Sequence, residues 1–141
     1  MEVAGTFVSC DPFDQMLLGP AFATHKVLKM AGIGLADLGV IEFHEAFAGQ
    51  VLSNVAALDS QKFADEHLGG DKKVGAIPFD KFNVHGGSLS IGHPFGATGA
   101  RLVTTVANRL IREGKQFGLT AACADGGIGH AAIIERYPQT K

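Results

Sequence analysis

Three residues of this 141-residue chain combine a reactive side chain with a place at the end of a predicted element. His44 closes the apolar run 40–43, His93 stands just before an amphipathic stretch, and Cys123 ends a second apolar run where it enters the turn "ADGGIG". Sites in α/β sheets gather at the carboxyl ends of strands, so these three side chains are expected to converge. A thiol beside an imidazole is the raw material of nucleophilic or acid–base chemistry. The imidazole takes up a proton near neutral pH, and the thiolate is the reactive form of the sulfur. Residues 86–101, "GGSLSIGHPFGATGAR", crowd glycines around His93. Glycine admits positive φ and close approach at an entropic cost, so some other group is expected to come near that imidazole. A helix beginning around 97–99 would add partial positive charge suited to an anion or oxyanion.

Each of these residues also has a plain structural reading. Cys123 alone reads as a small buried apolar side chain, and His44 alone as a hydrogen-bonded structural histidine. "GHPFGATGA" fails the phosphate-binding patterns, having no lysine where a P-loop needs one and no G-x-G-x-x-G spacing. The histidines lack short ligand spacings and there is no C-x-x-C, so no metal is expected. His25, His67 and His85 lie in polar or loop contexts and receive no role.

Positioning the three candidates requires a scaffold, and the hydrophobic pattern supplies one. A strand is predicted over 4–10, with Cys10 structural within it. A helix from Pro20 to about residue 31 follows, with Val27, Leu28 and Ala31 on its apolar face and Gly32 as its C-cap. A buried strand over 40–43 leads to a helix over 45–58, with Phe47, Val51, Leu52 and Val55 at helical spacing. Residues 59–82 read as polar and irregular. The helix after the glycine stretch directs Leu102, Val103, Val106 and Leu110 to the core and stops at Gly114. Two strands, 117–123 and 130–136, form a hairpin. This order describes an α/β fold, a mixed sheet of about five strands with helices packed on it.

Composition narrows the function classes. At 46% hydrophobic and 18% charged residues, the chain has the make-up of one globular domain. A net charge of −2 gives no electrostatic reason to expect nucleic acid or an anionic membrane surface. No apolar run nears the roughly 20 residues of a membrane span, and no leader is visible. Two cysteines make no disulfide framework, which suits a reducing, intracellular compartment. A strand that starts almost at the first residue suggests part of a longer chain.

Four stretches in order carry a more specific reading: "LLGPAFATHKVLKMAGI" (17–33), "EFHEAFAGQ" (42–50), "NVHGGSLSIGHPFGATGARL" (83–102) and "AACADGGIGHAAIIE" (121–135). Together they resemble the C-terminal domain of a thiolase over nearly the whole chain, and the tandem GHP and C-x-x-G-G motifs are specific. Histidine before Glu-Ala-Phe, where asparagine is familiar, is similar to the long-chain, degradative branch of the 3-ketoacyl-CoA thiolases. The resemblance implies one half of the layered thiolase fold. Residues 1–141 would be the C-terminal domain, without the nucleophile-bearing N-terminal domain or the acyl-binding loop domain.

It further implies cleavage of 3-ketoacyl-CoA by CoA in fatty-acid β-oxidation, with CoA as substrate and no cofactor. In that reading His93 activates the missing cysteine nucleophile and helps bind the thioester oxygen. Cys123 is the second acid–base group, and His44 with a bound water completes the first oxyanion hole. Backbone amides of Asp125 and Gly126 help form the second. The sequence departs from the family's C-x-G-G-G here, because Asp125 takes the first of the three glycine positions and brings a carboxylate that favours the thiol. Phe47 and Phe95 would line the acyl path, and His130 would orient the loop.

The implied partners are the chain's own N-terminal thiolase domain, a second copy or higher oligomer, and a hydratase/dehydrogenase α-subunit. The implied location is the mitochondrial matrix or inner-membrane surface in a eukaryote and the cytoplasm in a bacterium. The contrasting reading is a non-catalytic thiolase-like domain for lipid binding or assembly. Intact His44, His93 and Cys123 favour the enzyme.

Overall fold

The computed structural model describes residues 2–9 and 15–137; Cys10 lies outside the described residues. The elements run β1 (Glu2–Ser9), α1 (Gly19–Ala31), β2 (Leu38–Phe43), α2 (Ala48–Leu58), α3 (Gln61–His67), α4 (Ser88–Ile91), α5 (Phe95–Arg112), β3 (Phe117–Ala124) and β4 (Ile128–Glu135). The sheet order is β1-β4-β3-β2. β2 pairs parallel with β3, whereas β4 pairs antiparallel with both β3 and β1, so the sheet is mixed as expected.

Strand side chains alternate between faces, and the two faces meet different helices. Ile41, Phe43, Leu119, Ala121, Ala131 and Ile133 share one cluster with Val27 and Leu28 of α1 and Val51 of α2. Val40 and Ile134 share the other with Val106 and Leu110 of α5. Two close approaches set the helix positions. A Cβ on Gly118 would overlap Val106, so α5 rests directly on β3. A Cβ on Gly19 would stand 2.6 Å from the Cα of Gly129, so α1 begins with its backbone against that of β4. Helix ends follow the residues that permit them: Gly32 takes φ 67° after α1, and Gly114 takes φ 64° after α5.

The structure corrects several expectations. Four strands form the sheet among the described residues, rather than about five. Where a fifth would lie, a single parallel bridge joins Ile41 to Phe82. The extension stops there because Asn83 turns to φ 45° and uses its side chain in place of a strand. Its Oδ1 accepts from the Phe43 N–H at 2.8 Å and its Nδ2 donates to the Phe43 carbonyl at 3.0 Å.

Helix α2 starts at Ala48 because Phe47 is extended at its N-cap, with φ −148°. Phe47 and Leu52 are both 61% exposed, not core. Val103 is 41% exposed because it lies about 100° around α5 from Leu102, off the stripe formed by Leu102, Val106 and Leu110. Within 59–82, residues 61–67 form a separate helix capped by Ser60, whose Oγ accepts from the Phe63 N–H at 3.1 Å.

Candidate active site

His44 leaves β2 at the carboxyl end of the strand, where the main chain still belongs to the sheet: its N–H donates to the Ala121 carbonyl at 2.7 Å. Glu45 then turns back across the glycine stretch. Its Oε1 accepts from Asn83 Nδ2 at 2.7 Å, and its Oε2 accepts from the Leu89 N–H at 3.1 Å. Gly87 passes so close to this carboxylate that a Cβ there would collide with it. The close approach anticipated for the glycines thus falls between Gly87 and Glu45, one residue from His44 in the chain. The carboxylate clips the loop carrying His93 to the end of β2.

Two imidazoles meet at this junction. The rings of His44 and His93 lie 4.1 Å apart at 36°, and the Phe95 ring lies 4.9 Å from His93 on a tilted plane. Thr98 Oγ1, on the first turn of α5, is 2.6 Å from His93 Nδ1 and fixes the ring's orientation. Ser88 Oγ, on α4, is 3.0 Å from His44 Nδ1. Burial pushes the His44 pKa down, the neighbouring His93 and Arg101 push it further down, and Glu45 opposes them. His44 is therefore a neutral imidazole at pH 7.

The third candidate reaches the same place from β3. A cavity of about 650 Å³ is lined by His44, Phe47, His93, Phe95, Cys123 and Asp125, with Met16 and Leu17 entering from the segment before α1. Burial raises the Cys123 thiol above its ordinary value, and a backbone hydrogen bond only partly offsets this, so the sulfur is protonated at neutral pH. The structure brings together His44, His93, Cys123, Phe47, Phe95 and Asp125.

Gly126 is placed differently. It lies outside the cavity wall, and its N–H donates to Asp125 Oδ1 at 2.9 Å. His130 pairs with Ala122 across the hairpin and packs its ring on Phe7, 4.4 Å away. The residues that sequence reasoning left without a role are Asn83, Glu45, Ser88 and Thr98. Glu45, Asn83 and Ser88 act through contacts 38 to 44 residues apart in the chain, which no local period announces. Thr98 was within reach of sequence, since it sits five residues after His93 at the helix start.

A second, shallower cleft of about 330 Å³ lies between α1 and the connection after α3. Within it Asp71 takes both His25 at 3.1 Å and Lys29 at 2.8 Å, and Lys73 pairs with Asp59 at 2.9 Å. Among the described residues no cluster of His, Cys, Asp or Glu is arranged to hold a metal ion.

These features define a layered α/β domain with an imidazole–thiol cavity at its strand ends. The chain belongs to the thiolase family, for the family model described as "Thiolase, C-terminal domain" matches residues 2–136. It is 60% identical over 133 residues to the mitochondrial trifunctional enzyme subunit beta of Bos taurus, covering 94% of this chain and 28% of that protein. It is 56% identical over 129 residues to the 3-ketoacyl-CoA thiolase of Colwellia psychrerythraea, covering 92% of this chain and 30% of that one. Among solved structures, human mitochondrial 3-ketoacyl-CoA thiolase in complex with CoA superposes with a TM-score of 0.77 at 32% identity, over 95% of this chain and 29% of that one. The chain thus spans under a third of the length of the relatives it matches.

Proposed function

We propose that this chain supplies the acid–base half of a degradative 3-ketoacyl-CoA thiolase of fatty-acid β-oxidation. The observation that carries the reading is the single cavity lined by two neighbouring imidazoles, tilted at 36° to each other, and a protonated thiol. His93 Nε2 takes the proton of a cysteine nucleophile held by the N-terminal thiolase domain, and its Nδ1 is already occupied by Thr98. The resulting thiolate attacks the 3-keto carbon of the substrate. The bond between C2 and C3 breaks, leaving the acyl group on the nucleophile and a carbanion on acetyl-CoA. Cys123 protonates that carbanion, a role that needs the sulfur to carry its proton beforehand. The Cys123 thiolate next takes the proton of incoming CoA, whose sulfur attacks the acyl-enzyme. A shortened acyl-CoA leaves and the nucleophile is restored.

Charge on the thioester oxygen falls to His93 and to His44 acting through a water. The second oxyanion position uses the Asp125 amide. The Gly126 amide joins it only if the Asp125 carboxylate releases it. Phe47 and Phe95 line the acyl path. We further infer a hydratase/dehydrogenase α-subunit as partner, and the mitochondrial matrix in a eukaryote or the cytoplasm in a bacterium as location; a relative named as a mitochondrial subunit beta and a bacterial relative support the coarser setting.

Co-expression with a thiolase N-terminal domain tests the assignment by following loss of a long-chain 3-ketoacyl-CoA in the presence of CoA. Thiolysis is expected from the pair and none from this chain alone. His93→Ala should abolish it, whereas His44→Ala, which removes one oxyanion donor, should slow it by about 10²–10³. A wild-type pair that folds together yet leaves the substrate intact would favour a binding or assembly role.

A further inference from the structure

Among the described residues, Ser88 is the one buried hydroxyl that touches an imidazole of the cavity without lining the cavity itself. Its oxygen has two hydrogen-bond neighbours among the described residues: His44 Nδ1 at 3.0 Å and Arg101 Nη2 at 3.5 Å. A guanidinium can only donate. The Arg101 N–H therefore points at the serine oxygen, and the one proton of the hydroxyl has a single acceptor left, His44 Nδ1. The opposite tautomer would place a proton on Nδ1, aim a second donor at the same oxygen and leave the buried O–H without an acceptor among the described residues.

We propose that Ser88, oriented by Arg101, is a positioning residue that holds His44 as the neutral Nε2–H tautomer. That ring nitrogen, which has no hydrogen-bond partner among the described residues, then serves as a fixed donor to the cavity. A histidine at this position can present either a lone pair or an N–H; the N–H can donate to an oxyanion directly, or donate to a water and leave both of that water's protons free to donate. The Arg101 charge adds to the effect. Protonating His44 would put a cation beside a guanidinium, in line with the downward pull on its pKa. The catalytic consequence rests on the thiolase reading, whereas the tautomer itself does not.

The test is nitrogen-15 spectroscopy of the imidazole rings in the 141-residue chain labelled at histidine, at about pH 8, where an unperturbed histidine is neutral. The His44 signals are assigned by their loss in His44→Gln. The expected result is an unprotonated Nδ1 and a protonated Nε2. Ser88→Ala should convert this single tautomer into an exchanging mixture, and Ser88→Thr should restore it.

A protonated Nδ1 in the wild-type chain would overturn the proposal, and so would an unchanged tautomer in a folded Ser88→Ala variant. If that variant fails to fold, the wild-type spectrum and that of Arg101→Met decide alone, the latter expected to show loss of the single tautomer. No turnover is involved, so a failure here is separate from a failure of the thiolase assignment. In the two-domain enzyme, Ser88→Ala should lower kcat more than it raises KM.

Discussion

Cys123 shows how environment chooses a role for a side chain. Its thiol is held protonated by desolvation at the end of β3, and not by the Asp125 carboxylate, which is turned to the Gly126 N–H. Alkylation by iodoacetamide, followed by mass spectrometry from pH 6 to about 10, should therefore give a midpoint above the roughly 8.5 of a free cysteine. A midpoint at or below that value would mean that the sulfur is solvated, and desolvation would no longer be what holds the thiol protonated.

His44 and His130 provide a second measurement at this scale, because burial lowers both pKa values. In the unfolded chain both rings bind protons below about pH 6.5, whereas the folded chain resists protonation until lower pH. The unfolded state then binds more protons, so stability is full above about pH 6.5 and falls as the pH drops through the window beneath it. Urea midpoints at pH 7.5 and at about pH 5.5 should show the loss, and His44→Gln with His130→Gln should flatten it. An equal slope in the double variant would assign the acid sensitivity to other groups.

At the level of elements, the edge of the sheet beside β2 is completed by an amide side chain instead of a strand. Asn83→Ala would orphan the N–H and carbonyl of Phe43, both buried, and release Glu45 from one of its two anchors. Unsatisfied buried groups cost about 1–3 kcal/mol each, so a clear fall in urea midpoint is expected, with weaker thiolysis in the two-domain enzyme as the His93 loop loosens. An unchanged midpoint would show that water replaces the amide. A comparable cost is expected for Arg109→Ala, which strips the buried Glu42 carboxylate of its 2.9 Å partner. Removing one member of a buried ion pair typically costs about 3–5 kcal/mol.

These contacts also mark where the sequence stops being informative. The strand pattern of β2, the α5 stripe of Leu102, Val106 and Leu110, and the glycine stops after α1 and α5 obey local periods and were legible in the sequence. The convergence of His44, His93 and Cys123 followed from their positions at element ends. The missing fifth strand was not legible, because a single asparagine in a left-handed conformation leaves no period behind. Nor was Ser88, whose partner is 44 residues away. Val103 was misplaced because an apolar residue beside the stripe looks the same as one within it.

For the whole molecule, the telling feature is apolar surface left uncovered in the cavity wall and on α4. Phe95 is 87% exposed, and Phe47, Leu89 and Ile91 are each more than half exposed. Apolar patches of this kind usually await a partner. Size-exclusion chromatography with light scattering across a range of concentrations should show self-association of the isolated chain. A monomer at every concentration would show that water tolerates the surface unaided.

One contact inside the molecule behaves unlike the others. Gly19 meets Gly129 backbone to backbone, and Gly129 is the cross-strand neighbour of Cys123. Side-chain contacts have rotameric alternatives that heat can populate, but two glycines in contact have none to offer. The distance from the start of α1 to the hairpin is therefore set by hard atoms with no thermal alternatives. As temperature rises, the phenylalanine walls of the cavity will broaden their motion first. The thiol and the Met16–Leu17 rim will keep their spacing until α1 itself lifts from the sheet.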